Sequence, residues 1–395
     1  MTATAALAPD PVLQELVDRF DPELFWPMRS DARLRLTGGV EGARDVVFAG
    51  DRAFLVAPAG RADALLSAEP DAWAAVAHDL RGGLDAFRTG RLRVRRDLHL
   101  GVGFLAATAD SGERAGLRFA HASTAVGELS YNEAGSGPVV VLVHGLGATK
   151  VSMLPTVAAL AASGFRAIAL DLPGFGDSVK PIRAPYHAPY FARAIVALMD
   201  ALGVSRADVV GNSLGGRIAI EMGLRYPDRV GRLGLLAPSL AWLRGRPLAP
   251  LLRLINPQIG LLQPAPRALI EAIVRVAVPG SGEEEWTAVG VDEFLRSYLT
   301  PRGRVAFYAA ARNIYLEEPR GPRGLWTRLE SLETPALFVW GRKDRIVPIA
   351  FAGHVRKVLP GAAQLELDCG HVPQLEAPEE THAALAAFLA GRAAG

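Results

Sequence analysis

Five short segments dominate the second half of the chain, each almost wholly aliphatic: Pro138-Val-Val-Val-Leu-Val143, Arg166-Ala-Ile-Ala-Leu170, Ala207-Asp-Val-Val210, Arg232-Leu-Gly-Leu-Leu236 and Ala336-Leu-Phe-Val-Trp340. A strand without polar alternation must be covered on both faces, which is the condition of a parallel sheet wrapped by helices. Helical patterns over residues 153–163, 191–202 and 214–226 fall between these segments and can supply the cover. Strands alternating with helices in this way predict a doubly wound, mostly parallel α/β domain.

The rhythm fails between the fourth and fifth segments, where residues 239–328 hold several amphipathic helical stretches, such as 269–276 and 291–299, and no buried strand. An insertion placed after a strand's C-terminal end lies where such folds build ligand sites, and it reads as a helical cap. Ahead of the sheet, residues 32–38, 45–50 and 52–57 alternate like antiparallel strands between tight turns. Residues 71–84 are helical in pattern, and 91–104 return to strand-like alternation. A turn-rich break at Ala109-Asp-Ser-Gly112 closes this block. The 395 residues therefore divide into a small N-terminal α+β domain (1–110), an α/β core (118–238 and 329–395) and the cap (239–328).

Composition excludes several classes. With 43 basic and 41 acidic residues the net charge is only +2, so no electrostatic footprint for nucleic acid is visible. A single cysteine, Cys369, rules out an intramolecular disulfide and a cysteine-based zinc site. Residues 1–11 lack a signal peptide's basic start and apolar run, and the longest apolar candidate span, 251–279, is broken by Arg253, Arg267, Glu271 and Arg275. The expectation is a reduced, cytoplasmic protein without a membrane span; the oligomeric state is left open.

The chemistry centres on Gly211-Asn212-Ser213-Leu214-Gly215. An apolar strand runs into it and a helical pattern leaves it, as a turn that presents a serine hydroxyl requires. A serine nucleophile needs a base, and the base an orienting acid. Asp344 follows a buried strand in Trp340-Gly-Arg-Lys-Asp344, and His371 follows another strand in Leu365-Glu-Leu-Asp-Cys-Gly-His371. Asp368 competes as the acid but precedes His371 too closely to occupy a separate loop. Of the other histidines, His78, His99 and His121 lie in or beside the N-terminal block, His187 in a loop, and His354 and His382 on helices. His144 ends a strand and is expected to brace the neighbouring turn. In His144-Gly145-Leu146-Gly147 the glycines allow backbone amides to approach a substrate, so the N–H groups of Leu146 and Leu214 form the expected oxyanion pair.

These motifs, with Asp171-Leu-Pro-Gly-Phe-Gly-Asp-Ser178 and Gly211-Asn-Ser-Leu-Gly-Gly216, make residues 118–391 resemble an α/β-hydrolase-fold serine hydrolase with a helical cap. Epoxide hydrolase and haloalkane dehalogenase relatives carry aspartate where this chain has Ser213, which disfavours those chemistries. Carbon–carbon bond hydrolases of ring-cleavage products share Gly-Asn-Ser-x-Gly-Gly. They usually have Trp after the histidine and Gly-Pro-Gly in the oxyanion loop, where this chain has Val372 and Leu146-Gly-Ala148.

The stretch Ala86-Phe-Arg-Thr-Gly-Arg-Leu-Arg-Val-Arg-Arg-Asp-Leu98 resembles the Gly-Lys-Leu-x-Val-x-Gly-Asp signature of sterol-carrier-protein-like domains, with Arg96 in place of the glycine. The resemblance covers residues 10–108 and implies an apolar tunnel for acyl chains or sterols; a structural or dimerisation module is the other reading. Arg91, Arg93, Arg95 and Arg96 would lie mainly along one strand face, either simply solvated or in contact with an anion or membrane surface.

The expected function is a serine esterase acting on a hydrophobic carboxylic ester through an acyl-enzyme, with no metal or organic cofactor. Carbon–carbon hydrolysis and a lipid carrier with minor hydrolase activity are the alternatives. Trp242, Leu251, Leu252, Leu254, Ile255, Leu261 and Leu262 are expected either to line the acyl pocket or to pack cap against core.

Overall fold

The computed structural model describes residues 11–25, 30–38, 42–78, 91–108, 116–243, 245–263, 266, 268 and 284–391. The chain divides into two compact units, Met1–Ala120 and His121–Gly395.

The first unit opens with α1 (Pro11–Asp18), followed by β1 (Arg33–Thr37), β2 (Arg44–Ala49), β3 (Arg52–Val56), β4 (Ala64–Ala68), α2 (Pro70–His78), β5 (Leu92–Arg95) and α3 (Leu98–Thr108). Its five strands pair in the order β3-β2-β1-β4-β5, with β1 and β4 parallel and the other pairs antiparallel. On β1, Leu34 and Leu36 are buried while Arg33 and Arg35 converge on Asp45 of β2, at 3.0 and 2.7 Å. Burial would raise the Asp45 carboxyl, but the arginines and the Ala59 amide outweigh it and hold it below its ordinary value. Strand-like alternation over 91–104 does not persist past Arg95. Arg96 turns the chain at φ 74°, Asp97 Oδ1 accepts the Leu100 amide, and Leu98–Thr108 forms a helix buried on every side. A helix buried all round has no amphipathic period to betray it. The expected helix over 71–84 is described as far as His78, and the Ala86–Gly90 part of the carrier-like stretch lies outside the described residues.

The sheet of the second unit comprises β6 (Arg118–Thr124), β7 (Gly127–Ala134), β8 (Val139–Val143), β9 (Arg166–Leu170), β10 (Ala207–Asn212), β11 (Val230–Leu236), β12 (Ala336–Gly341) and β13 (Ala363–Leu367). Their order is β13-β12-β11-β10-β8-β9-β7-β6. Neighbours from β13 to β9 are parallel, and β7 runs antiparallel to β9. The strand order reverses at β8, whose C-terminal end is therefore a topological switch point, the place where α/β sheets open a crevice. Intervening helices are α4 (Leu154–Ala162), α5 (Ala188–Ala201) and α6 (Leu214–Arg225). Between β11 and β12 come α7 (Ala249–Leu254), α8 (Glu284–Tyr298), α9 (Pro301–Leu316) and α10 (Leu325–Leu329). The chain ends with α11 (Ala350–Val358), α12 (Pro373–Glu376) and α13 (Pro378–Leu389). No helix among the described residues is long and apolar enough to cross a membrane.

His382 on α13 places Nε2 3.1 Å from Thr156 Oγ1 on α4, and burial pushes its imidazole down to about 4 from 6.5. Because the unfolded chain takes up this proton first, the contribution is full above 6.5 and drains as pH falls towards 4. The loss amounts to about 3 kcal/mol. A urea-midpoint series across that window should show it, and His382→Gln should flatten it.

Candidate active site

The strand–turn–helix elbow is built by close backbone contact. A methyl group on Gly215 would sit 2.1 Å from the Val143 carbonyl oxygen, and one on Gly211 would sit 2.2 Å from the Gly215 carbonyl carbon. With glycine at both positions, α6 begins against the end of β8. Ser213, at the apex, is forced to φ 54°, ψ −114°, a conformation that costs a non-glycine residue on the order of 1–3 kcal/mol. Its amide donates to Leu236 O at 2.9 Å, and Asn212 Nδ2 donates to both Leu236 O and His371 O at 3.1 Å. The Asn212 side chain thus ties the elbow to β11 and to the histidine loop.

Asp344 and His371 meet from the loops after β12 and β13. Asp344 Oδ2 lies 2.8 Å from His371 Nδ1, while Oδ1 accepts the amides of Ile346 and Val347 at 2.8 and 2.9 Å. The carboxylate is 1% exposed, so its charge is held by these three partners rather than by water. With Nδ1–H directed at Asp344, Nε2 of His371 is left as the proton acceptor. The histidine loop is fixed by Glu376, whose two oxygens accept the Gly370 and Val372 amides at 2.6 and 2.9 Å, on either side of His371. Nothing in sequence spacing singles out Glu376, because its role is to bond backbone.

The competing assignments fall elsewhere. Asp368 pairs with Lys343 at 2.9 Å on an exposed surface, where such a pair contributes about 0–1 kcal/mol. His187 caps α5 through the Tyr190 amide, His354 packs on Trp326, and His144 is fully buried. His144 Nδ1 lies 2.7 Å from Gly145 O, and its Nε2 accepts the Leu172 amide at 3.0 Å. Those partners require the neutral Nδ1–H tautomer, and burial lowers its pKa in agreement.

The Gly145 carbonyl also accepts the Ala148 amide at 3.2 Å. Since a peptide unit is planar and trans, fixing the Gly145 C=O on one side fixes the direction of the Leu146 N–H on the other. The same construction recurs at the elbow. Ser213 O accepts the Arg217 and Ser239 amides at 3.1 and 2.9 Å, which orients the Leu214 N–H. Neither amide has an acceptor among the described residues. Gly145 approaches Ser213 closely enough that an added methyl would lie 3.4 Å from its Cβ, so the two turns carrying these amides meet at Ser213.

The cap residues expected to line the acyl pocket or to pack cap against core are mostly exposed. Trp242, Leu251 and Leu254 are 45, 57 and 84% exposed, Ile255 and Leu262 are exposed too, and Leu252 and Leu261 are only half-buried. The helix α7 is too short and too apolar to bury all its sides, and Arg312 holds its end through Leu252 O at 2.6 Å. Another apolar surface adjoins the oxyanion turn. A methyl on Gly147 would lie 2.7 Å from Phe294 and 3.4 Å from Phe307, which cluster with Tyr298 and Tyr308 on α8 and α9. The i, i+4 spacing of Phe294 and Tyr298 was the available sequence signal.

A family profile described as alpha/beta hydrolase fold matches residues 138–378, and the chain belongs to that family of hydrolase enzymes. It is 28% identical over 281 residues to the 2-hydroxy-6-oxo-6-phenylhexa-2,4-dienoate hydrolase of Comamonas testosteroni, covering 67% of this chain and 92% of that one. Its fold is similar to the enol-lactonase of Burkholderia xenovorans LB400 (TM-score 0.58, 23% identity, 69% of this chain and 100% of that one). It is also similar to a bacterial membrane phospholipase A (TM-score 0.53, 31% identity, 70% and 86% covered).

Gly215→Ala should destabilise the protein by about 1–3 kcal/mol, since the clash is with backbone that cannot step aside. Gly353→Ala, on α11 with nothing within 4 Å of the added methyl, should instead be neutral or stabilise by up to about 1 kcal/mol. Denaturant midpoints of the two variants provide the comparison.

Proposed function

We propose that the protein is a serine hydrolase that cleaves a carboxylic ester with a sizeable apolar part through an acyl-enzyme. The observation that carries this reading is the pair of oriented, acceptor-free amides in the two turns that meet at Ser213, with Asn212 tying that elbow to the loop of the Asp344–His371 pair. In this mechanism His371 Nε2 takes the Ser213 proton as Oγ attacks the ester carbonyl, and the tetrahedral oxyanion is held by the Leu146 and Leu214 amides. Asp344 stabilises the imidazolium, which then delivers its proton to the departing alcohol as the carbon–oxygen bond breaks. Water, activated by the same histidine, releases the acid. The aromatic wall of Phe294 and Phe307 is a proposed acyl contact, beside Trp242, Leu251, Leu254 and Leu261 of the cap.

Carbon–carbon bond hydrolysis is the second reading, favoured by the kinship with the Comamonas testosteroni enzyme. The Gly-Asn-Ser pattern shared with such enzymes adds nothing to that kinship, because it has a structural explanation here. The Asn212 amide nitrogen is occupied by two backbone carbonyls, a bracing role that is independent of the bond cleaved.

Initial rates on p-nitrophenyl esters from acetyl to palmitoyl, beside 2-hydroxy-6-oxo-6-phenylhexa-2,4-dienoate, separate the two. Ester turnover with a chain-length maximum, lowered by about 10³-fold or more in Ser213→Ala, is expected. Turnover of the dienoate alone would establish the second reading.

For the N-terminal unit we propose a lipid or acyl ligand, as the sterol-carrier-protein-like resemblance implies. Supporting it, Arg96 adopts φ 74° at the position where that family's signature has glycine, so the backbone there has the form a glycine would favour. Titration of the full-length chain with a fluorescent fatty acid should give saturable binding; its absence would favour the structural-module reading.

A further inference from the structure

Each proposed oxyanion amide lies three residues ahead of a buried side chain held by a carboxylate from the cap: Thr149 follows Leu146, and Arg217 follows Leu214. Thr149 Oγ1 donates to Glu293 Oε1 of α8 at 2.6 Å, and Arg217 Nε donates to Glu317 Oε1, just past α9, at 2.7 Å. Neither contact ends at the pair. Glu293 bonds Arg296 at 2.9 Å, Arg296 bonds Asp177 at 2.8 Å, and Asp177 bonds the fully buried Lys150 at 3.0 Å. Lys150 returns to the turn itself, because Asp171 Oδ1 accepts its amide and Oδ2 its ammonium, both at 2.7 Å. At the other anchor, Arg217 also bonds Glu221 at 2.8 Å, and Glu221 is bonded by Arg328 at 2.8 Å.

Thr149 is the N-cap of the short 3₁₀ helix Lys150–Met153, its Oγ1 accepting the Val151 amide, so one hydroxyl joins Glu293 to the chain leaving the oxyanion turn. Phe294, next to Glu293, lies against Gly147 within that turn. Charge-assisted bonds in a dry setting are short and directional, and displacing catalytic groups by about 1 Å can cost about 100-fold in rate.

We propose that Glu293 and Glu317 are positioning residues, through which the cap sets the Leu146 and Leu214 amides at the spacing the oxyanion needs. The cap is then part of the catalytic framework as well as a cover. This inference rests on the serine-hydrolase reading above.

Labelling of the full-length protein by a fluorophosphonate tests it without needing the substrate. A Ser213 Oγ–phosphorus bond forms as the phosphorus–fluorine bond breaks, fluoride leaves, and His371 takes the serine proton. The limiting rate and the half-saturating concentration are measured separately, with the thermal midpoint of each variant. Thr149→Val should lower the limiting rate by about tenfold or more with little change in half-saturation, while Thr149→Ser, which keeps the hydroxyl, restores it. Glu317→Ala, at a partly exposed carboxylate, should lower the limiting rate several-fold and decides the matter alone if Thr149→Val does not fold. Equal behaviour of the valine and serine variants, or a change confined to half-saturation or to the thermal midpoint, overturns the positioning role. Wild-type protein that is not labelled, or Ser213→Ala labelled as fast as wild type, overturns the serine-hydrolase reading and this proposal with it.

Discussion

The ends of β8 and β10 converge because α6 starts where no side chain stands in the way: the Gly215 backbone lies so near Val143 that even a methyl group would overlap its carbonyl. Two adjacent parallel strands then deliver two turns to one spot, the first through Gly145 and Leu146, the second through Ser213 and Leu214. The strained φ of Ser213 is a consequence of that geometry. It is tolerated because Ser213 N, Ser213 O and the Asn212 side chain are each bonded to the ends of neighbouring segments. Hydrogen bonds that would be ordinary in a helix here set the direction of the two amides that remain without acceptors.

Charge placement follows the same logic. A carboxylate taken out of water must be paired or bonded, or it takes up a proton. Asp344 meets that condition with one histidine and two amides, so its charge is oriented towards Nδ1 and away from the reaction. Asp171 meets it with Lys150. Burial alone would lower the Lys150 ammonium, but Asp171 and Asp177 outweigh it and the net shift is upward. On α6, burial opposes ionisation of Glu221 as well, yet its three arginine partners bring the carboxyl down to about 2. Ion networks of this kind add little net stability compared with an apolar core, but breaking one partner leaves a stranded charge. They therefore favour one arrangement of turn, helix and cap over its alternatives.

How much of this was legible in the sequence depends on the range of the interaction. Strands β8 to β12 announce themselves because both faces are buried, so each is a continuous apolar run. The strands β6 and β7 were not read, since the polar residues of Arg118–Thr124 and Gly127–Ala134 break any such run. Ser213, Asp344 and His371 stand out by residue type and by their place after strands. Glu376 and Glu293 do not, because each bonds a partner chosen by the fold. The helix Leu98–Thr108 was mistaken for strand because its glycines mimic alternation; one of them, Gly101, instead admits Val94. Hydrophobicity alone could not divide the cap leucines between pocket lining and packing, and a two-turn helix offers only one face to its neighbours.

The Asn212 contacts bear on how one elbow can serve different bonds. A side chain that braces the histidine loop against the elbow is useful whether the acyl group leaves an alcohol or a carbon, so its presence does not choose between them. Discrimination must come from groups that meet the substrate beyond its carbonyl. The turn carrying the Leu146 amide touches Phe294 and Phe307, which offer aromatic surface and no charge. An apolar acyl chain can gain about 25 cal/mol per Å² by burial against such a wall, whereas a second carboxylate on the substrate would lose solvation there without a partner. That asymmetry acts on the acyl side alone: it favours an apolar acyl group whether an alcohol or a carbon departs.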